Sequence, residues 1–145
     1  MDARMVEGYS SGEFITLVPL QNGEEIKEAA ISFREDSLLL MFLYAEIEDY
    51  DEYENVSIPW DQWKRVLYKW EILSGADDYD SMLESLVGIN YDAWSVDDKN
   101  LMTKFGRNGL RYWNQRLEEK ESLHYLLDWT NRYEDISENL VSYGY

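Results

Sequence analysis

The chain of 145 residues carries 13 Lys and Arg against 30 Asp and Glu, a formal net charge of −17, and is 45% hydrophobic and 15% aromatic. So much apolar and aromatic material, in a length typical of one domain, excludes a disordered acidic tail. The absence of cysteine excludes disulfides, zinc–thiolate sites and a thiol nucleophile, and a field this negative repels nucleic acid and anionic membrane while attracting basic partners.

The first stretch, "MDARMVEGYSSGEF", has no basic segment followed by an apolar one, so no secretory signal is expected. "FITLVPL" (Phe14–Leu20) is rich in β-branched and aromatic residues and reads as a strand. Pro19 cannot donate a ladder hydrogen bond, which places it on an edge strand or at a strand end. Asn22-Gly23 follows, a strong hairpin signal. A second strand is expected from about Ile26 to Phe33, although "EEIKEAA" also reads as a helical turn.

After the polar turn "REDS", "LLLMFLYAEI" (Leu38–Ile47) reads as a central strand, apolar on both faces in its first part. The apolar run from Leu38 to Ala45 falls well short of the about 20 residues a membrane-spanning helix needs. A soluble, cytoplasmic protein is therefore expected. These segments would make an antiparallel meander.

Beyond the acidic stretch the period changes. Trp60, Trp63, Leu67 and Trp70 share one face of a helix. Pro59 suits its start and Gly75 its end. A short helix is expected from about Tyr79 to Val87, ending at Gly88. "SVDD" (Ser95–Asp98) resembles a capping box and would open a helix running to about Phe105. Leu110, Trp113, Leu117, Leu123, Leu126, Leu127 and Tyr133 mark one long helix or two abutting ones, and "DISENLVSYGY" adds a last turn and a frayed end. The expected architecture is one α+β domain over 1–145, mainly β in 1–58 and mainly α in 59–145. An N-terminal antiparallel meander of about three strands is followed by about four or five α-helices.

The charge is unevenly spread. Residues 1–98 hold 23 Asp and Glu against 6 Lys and Arg, and residues 99–145 hold 7 of each, so the whole imbalance lies in the first part. It is densest in "AEIEDYDEYENVSIPW" (Ala45–Trp60), which has no basic residue. If the strand ran on past Ile47, Tyr44, Glu46, Glu48, Tyr50, Glu52 and Glu54 would share one face, with neighbours about 6.6 Å apart. Such a row resembles a phosphate backbone, which in duplex DNA carries one charge per about 1.7 Å of axis. The candidate partner-binding residues are Glu46, Glu48, Asp49, Tyr50, Asp51, Glu52, Tyr53 and Glu54. Asp77, Asp78, Tyr79 and Asp80 in "GADDYDSMLE", with Glu84 beside them, repeat the theme. The bland alternative is an acidic loop whose charge keeps its backbone solvated.

Catalytic signals are weak. The sole histidine, His124, sits among core positions in "ESLHYLL" and reads as a partly buried structural residue. With so many carboxylates, pairs at any spacing arise by chance, and none stands in an apolar setting that would raise its pKa. "DDYDSMLESLVG" lacks the glycine and terminal glutamate of an EF-hand loop. No P-loop or dinucleotide-binding loop occurs. Lys104, Arg107 and Arg111, with Asn108 nearby, would form a basic stripe on a continuous helix. Gly106 and Gly109 interrupt it, and pairing with the chain's own carboxylates is the simpler reading.

These features lead to an expectation of a non-enzymatic acidic inhibitor, with no cofactor and no metal. It would occupy the basic nucleic-acid-binding surface of another protein, by analogy with phage anti-restriction and anti-CRISPR nucleic-acid mimics. It would bind neither nucleic acid directly nor membrane, and a homodimer is compatible with the composition. The alternatives are an immunity protein or antitoxin neutralising a basic nuclease toxin, and a salt-insensitive structural or regulatory adaptor. A carboxylate-dependent enzyme ranks last.

Overall fold

A computed structural model describes residues 4–10, 12, 14–47, 50–51, 53–78 and 111–144. Its frame is an antiparallel sheet of six strands: β1 (Met5–Glu7), β2 (Phe14–Gln21), β3 (Glu24–Glu25), β4 (Ile31–Arg34), β5 (Val56–Pro59) and β6 (Asn139–Tyr143). The order across the sheet is β1-β4-β2-β6-β5, with β3 pairing the end of β2. Helices α1 (Leu38–Glu46), α2 (Trp60–Gly75) and α3 (Lys120–Tyr133) accompany it, and residues 111–118 are also helical. The molecule is mixed α+β, and its sheet is not confined to the N-terminal part.

The hairpin forms where the sequence places it. Asn22 (φ 54°) and Gly23 (φ 77°) both adopt left-handed backbone. That is the geometry a two-residue turn needs to match strand twist, and Asn and Gly tolerate it best. Leu20 then pairs with Glu25 and Gln21 with Glu24. The expected second strand divides into β3, a 3-10 turn at Lys27–Ala29, and β4.

Pro19 lies in a central strand, not at an edge. β2 pairs β4 from Phe14 to Leu17 on one side and β6 from Thr16 to Leu20 on the other. The Pro19 carbonyl accepts the Ile26 N–H at 2.9 Å, so its nitrogen faces that same side. Pairing to β4 has ended there, at Leu17, and pairing to β3 begins only at Leu20. The missing donor thus falls in a gap of the ladder and costs no bond.

Two assignments are overturned. Leu38–Ile47 is not a strand; α1 is helical over Leu38–Glu46. The run contains no β-branched residue before Ile47, and Leu, Met, Ala and Glu are strong helix formers. It is buried all round, with Leu38, Leu39, Phe42 and Leu43 fully inaccessible. A helix with no polar side has no period for the sequence to reveal. Its first N–H, at Leu38, donates to both oxygens of the buried Glu119 carboxylate at 3.2 and 3.0 Å. That carboxylate sits favourably at the positive end of the helix dipole.

The C-terminal stretch is likewise not a helical tail. Asn139–Tyr143 forms β6 between β2 and β5, with Val18 opposite Val141 and Ile58 opposite Leu140.

α2 matches its expected bounds and buries Trp60, Trp63, Val66, Leu67, Trp70 and Leu73. Trp63 Nε1 donates to Thr130 Oγ1 at 2.9 Å, and Trp60 and Trp63 both pack on Trp129 of α3. The helical stretch 111–118 and α3 abut with a break at Glu119. The helices expected at 79–87 and 95–105 lie outside the described residues.

The core fills one face of the sheet. Met5, Ile15, Leu17, Ile31, Phe33, Ile58 and Leu140 meet the helices there. Thr16, Val18, Ser32, Val141 and Tyr143 alternate onto the other face.

Candidate functional site: the acidic end of the fold

The carboxylate row does not form, because its first members lie on a helix. Glu46 ends α1 and is 6% exposed. Its carboxylate is ion-paired with Lys69, itself mostly buried, and with Arg65 Nε at 3.6 Å, both from α2. A carboxylate at the negative end of a helix dipole is disfavoured, and these two cations offset that. Tyr50 is 6% exposed. Its hydroxyl shares a 2.9 Å hydrogen bond with Ser142 Oγ, and its ring meets Tyr44 edge-on at 5.2 Å. Glu46 and Tyr50 are therefore interior side chains and drop out of any docking surface.

The other described contact residues are half-buried, as Asp51 is, or exposed. Asp51 accepts the Tyr53 N–H at 2.8 Å, and its carbonyl accepts the Glu54 N–H at 3.3 Å. An aspartate closing a turn on its own following backbone is a common local solution, and here it fixes the segment that carries Tyr53, which is 69% exposed. Glu54, Asp77 and Asp78 are exposed as well. Glu48, Asp49, Glu52, Tyr79, Asp80 and Glu84 lie outside the described residues, as do Lys104, Arg107 and Asn108 of the basic stripe. Arg111 is exposed. His124 is exposed on α3, not partly buried as its neighbours in sequence imply.

The fold draws the two acidic segments to one end. Tyr50 reaches Ser142, which stands opposite Val56 at the start of β5. α2 leaves the other end of β5 at Pro59 and runs back, since its Arg65 and Lys69 reach Glu46, shortly before Tyr50. A helix of 16 residues spans about 24 Å, against about 13 Å for four strand residues. The end of α2, with Asp77 and Asp78, is thereby carried toward the Asp51–Glu54 turn.

Most cations of residues 1–98 are already engaged. Arg4 contacts Asp36 at 3.5 Å and Glu118 at 3.4 Å, and Arg34 contacts Asp36 at 3.5 Å. Lys64 contacts Glu134 at 2.7 Å, and hydrogen bonding to that carboxylate, then its charge, raises the lysine pKa. Each pair cancels one charge of each sign, so the excess of −17 rests on the remaining carboxylates. Among the described residues no group of His, Cys, Asp and Glu is placed to hold a metal ion, and no helix is long and apolar enough to cross a membrane.

The concavities that described residues line include these two. One, of about 380 Å³, lies along α1 between Glu35, Asp36, Tyr44, Arg111 and Tyr112. The other, of about 450 Å³, opens on the sheet face away from the helices, between Tyr9, Phe14, Glu25 and Tyr143. Tyr9 Oη donates to Glu25 at 3.0 Å. Burial first, then that hydrogen bond, push the Tyr9 pKa up to about 12. Burial and Glu25 raise Tyr143 in the same way. Sequence reading passed over these residues. The one available signal was the Asn22-Gly23 turn, whose register sets Glu25 beside Leu20. No family model matches the chain, and no curated protein or solved structure matches it either.

Proposed function

We propose that the protein is a non-catalytic acidic inhibitor that docks on the basic, nucleic-acid-binding surface of another protein. The observation carrying this reading is the sorting of charge. The cations Arg4, Arg34, Lys64, Arg65 and Lys69 are turned to the chain's own carboxylates. Tyr53, Glu54, Asp77 and Asp78 meanwhile are exposed and Asp51 is half-buried beside them, toward one end. The docking surface is a cluster built from a turn and a helix end, in place of the extended row. Carboxylates there steer encounter with a cationic groove, and an ordered tyrosine adds contact area at low entropic cost.

An adaptor that binds through an apolar patch has less support. Trp60, Trp63, Trp70 and Trp129 are buried and Trp113 is half-buried, so no described tryptophan is spare for such a patch.

The test is affinity capture from host lysate at low and high salt, with mass-spectrometric identification. The expected catch is a Lys/Arg-rich nucleic-acid-binding protein, held at low salt and released at high salt, where screening shortens to a few ångströms. A nuclease toxin in that fraction would make the protein an immunity factor; a defence effector would make it a counter-defence factor. A catch indifferent to salt, or lacking basic proteins, would reject the proposal.

A further inference from the structure

We propose that the sheet face opposite the helices carries a guanidinium site, in which the Glu25 carboxylate, walled by Tyr9, Phe14 and Tyr143, receives an arginine side chain of a protein partner. The inference stands on this face alone and holds whether or not the acidic end docks.

The strand register builds the site. Phe14 and Thr16 project to one face of β2, and Tyr143 stands opposite Thr16 on β6. Glu25 stands opposite Leu20 on the same face. Tyr9 arrives from the β1–β2 loop, which left-handed Gly8 (φ 85°) and Gly12 (φ 82°) allow to fold back over the sheet. Two hydroxyls in contact with each other pin that loop. Ser32 Oγ donates to the Gly8 carbonyl at 2.8 Å, Thr16 Oγ1 donates to the Ser10 carbonyl at 3.4 Å, and the two hydroxyls meet at 2.9 Å. The polar floor is thus consumed in holding the walls.

Among the described lining residues, what faces the cavity beside Ser10 and Thr16 is aromatic ring and one carboxylate. No Lys, Arg or His is among its described lining residues. An anion would find no partner there, and one carboxylate is too few for a metal site. A carboxylate offers about four lone-pair positions; Tyr9 takes one at 3.0 Å and the Tyr143 hydroxyl another, so capacity for a forked donor remains. Tyr9 is 50% exposed, so the mouth is open to another chain. A guanidinium matches both halves of this lining: its plane stacks on aromatic rings while its forked N–H groups meet a carboxylate, which an ammonium does less well. The arrangement also complements a partner rich in arginine, as the −17 charge of the whole chain favours.

The experiment is an NMR titration of the full chain, observing aromatic resonances at fixed ionic strength. The probes are N-acetyl-arginine amide, its lysine counterpart and its uncharged citrulline counterpart. Saturable shifts of the Tyr9, Phe14 and Tyr143 rings are expected with the arginine probe, weaker ones with lysine and none with citrulline. Glu25→Gln should abolish them. Phe14→Leu keeps the carboxylate and should weaken binding about two- to fivefold, which tests the site even if Glu25→Gln fails to fold. Unmoved rings, equal shifts with citrulline, lysine binding as tightly as arginine, or full binding by a folded Glu25→Gln protein would each overturn the assignment.

Discussion

The two faces of the sheet are made by the same strands, yet they do different work. On the face toward the helices, Ile15, Leu17, Ile31, Phe33, Ile58 and Leu140 are all but inaccessible, and burial of apolar surface stabilises the fold there. On the other face, alternate positions of those strands place Thr16 and Ser32, tied to a loop by hydroxyl hydrogen bonds, and Tyr143. A side-chain period of two is enough to put an apolar core and a more polar layer, in which Thr16 and Ser32 are also buried, back to back. Charge follows the same division: Glu46 is held inside by Lys69 and Arg65, whereas Asp51, Glu54, Asp77 and Asp78 sit at the surface or close beneath it.

The largest effect should come from the dry side. Phe42→Ala removes a fully buried ring from α1 and should cost about 3–5 kcal/mol in urea denaturation. A loss like that of a surface substitution would mean α1 is not packed as described. Next comes Glu46→Gln, which removes the charge opposite the mostly buried Lys69. The expected cost is about 2–3 kcal/mol, below the usual figure for a broken buried pair because Arg65 is largely solvated. The double substitution Glu46→Gln with Lys69→Met should recover most of it, and failure to do so would show that the pair is not coupled.

The polar face should respond more gently. Ser32→Ala breaks the links to Thr16 and Gly8 at a cost of about 1 kcal/mol, and should speed amide exchange in the Gly8–Ser10 loop while leaving that of α1 unchanged. Smallest is a pH effect. The Tyr9 pKa is raised from 10.0 to about 12 in the folded chain, so the folded state holds that proton more tightly than the unfolded one. The resulting stability is complete below about pH 10 and declines as pH rises toward 12. Tyr9→Phe should flatten part of that alkaline decline in thermal melts. An identical decline in the variant would deny the Tyr9–Glu25 contact its role.

Legibility in the sequence followed the range of the forces involved. β2, the Asn22-Gly23 turn and α2 are set by local signals: turn stereochemistry, a proline start and an apolar stripe. α1 gave no stripe because every side is buried. β6 was missed because its five residues find their partner across most of the chain, at Thr16–Leu20. Nothing near Asn139 announces that pairing. The uneven charge was visible at once, but which carboxylates would turn inward was not. Glu46 resembles its acidic neighbours in sequence and differs only in standing one helix away from Lys69. The carboxylate row assumed an extended chain, and once Leu38–Glu46 is helical, the alternation behind the row is gone.

The most direct measurement compares the salt-sensitive fraction captured from lysate by the unaltered protein and by an Asp51→Asn, Glu54→Gln, Asp77→Asn, Asp78→Asn variant, with melting temperatures taken in parallel. If the exposed acidic end is the docking surface, the variant melts at the same temperature or slightly higher and loses that fraction. A variant that keeps its fold and still captures the same basic proteins, with the same salt dependence, would contradict it.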